Sequence, residues 1–270
     1  MSSEHEPARP DLHRIPPRPD HLPAEPIANE IGGLSLRPKA TWKTWEAIAV
    51  YVLAFLGGGL ATLPILELVD DDDLATLAAS AVAAVVITGA IVAWLWTMHP
   101  RWREVMGFPT RGQLWNELRS SIGFGLVLYP AMVFGVGLVL TLLLSVISGE
   151  SVEAPEQVPS EPSAVTAVIT VVYAIVVAPV HEELYFRGVL FRAVRDRYGF
   201  VSGLVATGFA FSLVHFLDVE WQDALLLMGV MFFNGMALGW WYERRGTVLA
   251  PVVAHMVFNV IGLSLILTIR

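Results

Sequence analysis

From Thr44 to the end of the chain, long runs of uncharged apolar residues recur, and this pattern restricts the fold more than any other feature. A hydrocarbon layer of about 30 Å takes about 20 helical residues to cross. The runs are Thr44 to Leu68, Leu74 to Met98, Leu118 to Ile147, Ala164 to about Arg197, Val201 to Leu217, Ala224 to Tyr242 and Val248 to Ile269, seven in all. They are continuously apolar and lack the period-two alternation of a barrel strand, so helices are expected. The predicted fold class is all-α, a polytopic transmembrane bundle of about seven spans. The fifth run is short for a span, and the fourth is too long to lie wholly in lipid. Composition agrees: 55% of the 270 residues are hydrophobic and 16% charged, against roughly 45–50% and about 25% in soluble domains. The chain has no cysteine, which excludes a disulfide framework, a cysteine-ligated metal and a thiol nucleophile. A net charge of −8 argues against a nucleic-acid partner.

The first forty residues differ from the rest. They hold eight of the seventeen prolines and no long apolar run, so they bury too little to offset the entropy of ordering. Residues 1–40 are read as a disordered tail, and they lack the apolar centre of a signal peptide. Orientation follows from Lys and Arg. The tail carries Arg9, Arg14, Arg18, Arg37, Lys39 and Lys43. Later connections on the same side carry Arg101, Arg103, Arg111 and Arg119, then Arg192, Arg195 and Arg197, then Arg244 and Arg245. The alternate connections hold Asp70 to Asp73, then Glu150, Glu153, Glu156 and Glu161, then Asp218, Glu220 and Asp223, with no basic residue. An integral multi-pass protein with a cytoplasmic N-terminus and an external C-terminus is expected. The −8 then divides into +4 in the cytoplasm, −1 in the membrane and −11 outside.

Ionisable residues at membrane depth are costly and mark function by default. In the first half of the chain they lie only at span ends. The second half places His181, Glu182, Glu183 and Arg187 in the fourth span, His215 in the fifth and His255 in the seventh, with the amides Asn234 and Asn259. Residues four apart share a helical face. Glu183 therefore reaches Arg187, Phe211 lies under His215, and His255 lies beside Asn259. If the fourth and fifth helices form an antiparallel hairpin, Glu182 and His215 share a midpoint between Tyr198 and Gly199, where composition also puts the turn. The two side chains should then face each other at one depth. A carboxylate, two imidazoles and an amide in a shielded cavity suit the activation of water and the stabilisation of an oxyanion. Two His and one Glu also match the ligand count of a catalytic zinc. Pro179 removes a backbone donor two residues before the cluster and should kink the helix there.

Four motifs on successive spans carry a resemblance. They read Glu182-Glu183-Leu-Tyr-Phe-Arg187, Phe211-Ser-Leu-Val-His215, Phe232-Phe-Asn-Gly235-Met-Ala-Leu-Gly239 and His255-Met-Val-Phe-Asn259. In this order they resemble the CPBP intramembrane metalloproteases, which include the type II CAAX prenyl proteases and the abortive infection membrane proteins of bacteria. Composition and hydropathy divide the chain into a tail (1–40), N-terminal transmembrane helices (41–150) and an external acidic loop (151–163), and the resemblance, which covers about residues 164–269, makes the last four spans (164–270) a protease core. It implies an intramembrane endopeptidase in which Glu182 activates water with His215 as its partner, and His255 and Asn259 stabilise the oxyanion. Glu183 and Arg187 would form an orienting ion pair. Glu182, His215 and His255 would be the ligands if zinc or another divalent metal is used, and the sequence leaves that question open.

Other roles compete at each position. His181 points about 100° away from Glu182 and suits packing. Gly235 and Gly239 form a small-xxx-small pair that explains itself by close helix approach. Phe211 packs under the histidine, and Asn234 bridges helices. The tryptophans, among them Trp42, Trp45, Trp94 and Trp96, suit an interfacial belt. A non-enzymatic membrane scaffold and a proton-coupled transporter are the alternatives in other classes, although no internal repeat supports the transporter. The partners expected are the bilayer and a membrane-embedded or lipidated peptide substrate, such as a CAAX-type protein.

Overall fold

The computed structural model describes residues 33, 34, 36–152, 163–216 and 219–269, and among them no residue lies in a strand. Helix α1 spans Thr44–Leu68, α2 Asp72–Met98 and the short α3 Trp102–Met106. Helix α4 runs over Arg111–Ser148 and α5 over Ala164–Tyr198. Three more follow: α6 Phe200–Leu213, α7 Trp221–Arg245 and α8 Leu249–Ile269. Six of these are long and apolar enough to cross a membrane, and α6 is a shorter apolar helix. Together they account for the seven spans expected. Large apolar side chains such as Leu53, Leu60, Val127 and Phe134 face outward, as they do where hydrocarbon and not water surrounds the bundle.

Local chemistry sets the ends. The Asp71 side chain accepts from Leu74 N at 2.9 Å and starts α2, and Ser163 accepts from Thr166 N at 3.2 Å to start α5. Both satisfy amides that have no partner within the helix. Gly199, at φ 92°, separates α5 from α6, a conformation that a side chain disfavours. The predicted hairpin turn is therefore found at its expected place. Its register holds too: Phe186 and Phe211, each one turn nearer the bend than Glu182 and His215, meet with ring centroids 5.2 Å apart.

Close approaches bind the bundle. The α6–α7 crossing is so tight that a Cβ on Gly235 would lie 3.0 Å from Gly208 Cα. Where α4 meets α8, a Cβ on Gly125 would lie 2.7 Å from Ala254 O. One end of the bundle is tied by charge: Arg195 pairs with Glu243, and Arg245 with Glu117 at 2.7 Å. The ends of α5 and α7 and the start of α4 are thus level.

Three expectations need correction. The fifth span was expected to continue to Leu217, but α6 stops at Leu213 and the chain leaves through tight turns, His215 N to Ser212 O at 3.1 Å and Phe216 N to Leu213 O at 3.2 Å. The disordered tail was expected to reach Ala40. Instead Leu34 is fully buried, its N bonds Glu243 O at 3.1 Å, and Arg192 donates to Leu34 O and Pro38 O. The tail before Gly33 lies outside the described residues, as does most of the expected acidic loop. Trp42, placed in the interfacial belt, is fully buried, with its indole N–H on Val189 O at 3.0 Å. Trp45, 63% exposed, fits the belt.

Candidate active site

The site forms where α5, α7 and α8 meet, with Phe211 of α6 beneath it. Helix α5 is irregular on both sides of its acidic pair. A π-helical turn covers Tyr173–Val177, an α-helical turn covers Ala178–Glu183, and a longer π segment covers Leu184–Phe191. The cause of the first irregularity is Pro179. Ala178 N bonds Tyr173 O, five residues back. The next bond in that register would run from residue 179 to Ala174 O, and proline has no N–H. The side chain of Asn259 supplies the missing donor, its Nδ2 lying 2.7 Å from Ala174 O. Wide turns of this kind recur at functional sites.

Glu183 is the hub. It is fully buried, and its Oε1 accepts from Arg187 Nη1 at 2.9 Å and from His255 Nδ1 at 2.8 Å. Arg187, also buried, gives its Nη2 to Gly235 O at 3.1 Å and lies over the Phe211 ring at 4.6 Å. Arg187 thus pairs with the Glu183 carboxylate through Oε1, while the Oε2 of that carboxylate is buried with no partner among the described residues. Because an ionised carboxylate only accepts, His255 donates through Nδ1 and turns Nε2 the other way. That Nε2 lies 4.0 Å from Glu182 Oε2. Glu182 keeps 17% side-chain exposure, and its Oε2 has no hydrogen-bond partner among the described residues.

The other expected residues take distinct places. The expected Glu183–Arg187 pair is present. His215 sits in the turn beyond α6, its Nδ1 2.8 Å from Phe211 O and its ring 4.6 Å from the Phe211 ring. Phe211 is fully buried beneath both histidines, 6.1 Å from His255. Gly235 and Gly239 make close contacts on α7, the latter against Leu204. His181 bonds Thr88 of α2 through Nδ1 at 2.9 Å. Asn234 is buried with its Oδ1 unpartnered among the described residues.

Sequence spacing did not reveal three of these contacts: Glu183 with His255, Asn259 with Ala174, and His181 with Thr88. Each joins helices whose relative rotation is set by packing. Only the missing N–H of Pro179 signalled in advance that a donor would be needed. For a metal, Glu182 Oε2 and His255 Nε2 do point at common space, with Glu183 behind the imidazole. However, no group of three or more His, Asp or Glu side chains is arranged to hold a metal ion among the described residues. As placed, Glu182, His215 and His255 do not make the three-ligand set of a catalytic zinc.

Comparison with known proteins falls on the segment that carries the motifs. Residues 164–261 match the family model described as type II CAAX prenyl endopeptidase Rce1-like. An uncharacterized 24.3 kDa protein of Escherichia coli is 30% identical over 98 residues, which cover 36% of this chain and 43% of that protein. The match thus spans less than half of the relative. No solved structure matches.

Proposed function

Because residues 164–261 belong to the Rce1-like family of type II CAAX prenyl endopeptidases, we propose that the chain is an intramembrane endopeptidase in which Glu182 activates the attacking water. The observation that carries this reading is the free Glu182 Oε2 facing His255 Nε2 across 4.0 Å. At that separation both atoms can reach one shared oxygen, the attacking water, at hydrogen-bond distance. Glu182 takes the water proton as the oxygen attacks the carbonyl carbon, and later returns it to the departing amine. The Glu183–His255 bond fixes the ring so that its Nε2 faces the position where the oxyanion forms. Arg187 holds Glu183 in place through its Nη1. His215, anchored on Phe211 O, borders the site from the α6 side and orients the water or the substrate.

Asn259 is assigned to holding Ala174 O and so the bend before Glu182, with its second N–H available to the substrate. Zinc supplies no step here, since the residues do not assemble its ligands. The substrate class supported is a membrane-associated peptide, lipidated or transmembrane. The family's name favours a CAAX-type protein, and the apolar walls suit either. The basic end of the bundle is placed in the cytoplasm on the positive-inside rule.

Purified protein in detergent, incubated with a prenylated CAAX peptide and with a transmembrane peptide, tests the reading. Wild type is expected to cleave one of them, and Glu182→Ala and His255→Ala are expected to lose at least a hundredfold in rate at equal folding. Cleavage by Glu182→Ala at the wild-type rate would overturn it and leave the scaffold or transporter alternatives. Activity is expected to survive a strong chelator. Loss that added zinc restores would replace the metal-free mechanism.

A further inference from the structure

The geometry points to Tyr51, on α1 and outside the segment shared with the family, as a catalytic residue of this site whose hydroxyl donates to the substrate carbonyl oxygen as it becomes the oxyanion. The inference rests on the endopeptidase reading above and adds a residue that the motifs do not contain.

Helix α1 runs antiparallel to the second half of α5, and its register is pinned at several points. The Trp42 indole donates to Val189 O at 3.0 Å, and Thr44 Oγ1 to Ala193 O at 3.3 Å. Further along α1, Tyr185 donates its hydroxyl to Ala47 O at 3.3 Å. One helical turn beyond Ala47 is Tyr51, and one turn before Phe186 is Glu182. The Tyr51 ring stacks on Tyr185 with centroids 4.0 Å apart and planes at 20°, and lies 6.1 Å from the Phe186 ring. These are the residues three and four beyond Glu182, on its side of α5. The ring is thus fixed by aromatic contacts while its polar tip is left over.

That tip has no protein partner among the described residues, whereas the neighbouring hydroxyl of Tyr185 is bonded. A tyrosine hydroxyl in such surroundings ordinarily finds one. Glu182 lies one turn before Phe186, on the face of α5 that the Tyr51 ring covers. Several donors around the site are already engaged: His255 Nδ1 with Glu183, Arg187 Nη1 and Nη2 with Glu183 and Gly235 O, and one N–H of Asn259 with Ala174 O. A phenol whose ring is fixed on this face of α5 supplies a further, neutral donor to the site. A neutral donor of this kind is stabilising where negative charge develops in a water-poor site.

Tyr51→Phe keeps the stacked ring and removes only the oxygen, so folding is expected to be unchanged. In the cleavage assay kcat should fall roughly tenfold to a hundredfold, with KM altered less than about threefold. Tyr185→Phe removes a hydroxyl of the same stack that faces Ala47 O, and should cleave within about twofold of wild type. Equal loss in both variants would mean a packing effect and overturn the inference, as would wild-type kcat in Tyr51→Phe. In either case Glu182→Ala, still inactive, would leave the endopeptidase reading standing. Failure of the wild type to show cleavage dependent on Glu182 would remove that reading and this inference with it.

Discussion

At the scale of single residues, the pairing of Pro179 with Asn259 shows how a helix defect becomes a tether. Proline leaves Ala174 O without a backbone donor, and an amide one helix away fills the vacancy at 2.7 Å. Asn259→Ala should therefore destabilise the protein by about 1–3 kcal/mol, the cost of stranding a shielded acceptor. Pro179→Ala restores an N–H at position 179, so the double variant should recover part of that loss. Thermal unfolding in detergent across the four variants measures the coupling. Additive losses would refute the tether. The buried triad offers a sharper case. In Glu183→Gln the Arg187 guanidinium, 1% exposed, keeps its charge without a counter-charge. A cost of about 3–5 kcal/mol is expected, and the variant should unfold at markedly lower temperature than the wild type. The sequence disclosed Glu183 and Arg187 because four residues is one turn. It did not disclose that His255 shares the same carboxylate oxygen, since that depends on how α8 is rotated against α5.

At the scale of helices, the informative contrast lies between two glycines of one motif. A Cβ on Gly235 would lie 3.0 Å from Gly208 Cα and 3.3 Å from Phe211 Cβ, atoms held by the α6 backbone. On Gly239 the same atom would meet Leu204 Cδ2 at 3.0 Å, the tip of a flexible side chain. Overpacking against backbone costs about 1–3 kcal/mol. Gly235→Ala is therefore expected to lower the unfolding temperature clearly more than Gly239→Ala, and to impair cleavage by displacing Phe211 from beneath the histidines. Equal effects would show that both sites relax alike. The α5–α6 hairpin was legible because Gly199 and its flanking residues mark a turn and the register then follows by counting. The end of α6 was not, since Val214 and Phe216 continue the apolar composition although the backbone has left the helix. The π turns of α5 were equally silent, apart from the proline.

At the scale of the whole molecule, the ion pairs decide how the charge pattern must be arranged across the membrane. Arg195 with Glu243 and Arg245 with Glu117 bring the basic ends of α5, α7 and α4 to one level. The docked segment from Gly33 to Trp42 brings the start of α1 to the same level. Helix α6, with only 14 residues, reaches about 21 Å at 1.5 Å per residue, short of a 30 Å layer. The level ends of α5 and α7 require α6 and the turns that follow it to cross together, so the polar backbone of those turns, beside His215, should draw water in or thin the bilayer there. The Lys and Arg of the sequence predict a sidedness, but they did not disclose the ion pairs that consume much of that charge. The absence of cysteine makes the arrangement directly measurable. A cysteine replacing exposed Lys39 should react with a membrane-impermeant maleimide only after the cells are permeabilised. One replacing exposed Ser151, at the opposite end, should react in intact cells. A third replacing His215 tests the thinning: labelling from the external side, slower than at 151 but measurable, is the expected result. A residue sealed within a full-thickness layer would stay unlabelled, and the short helix would then need a lipid environment no thinner than its neighbours have.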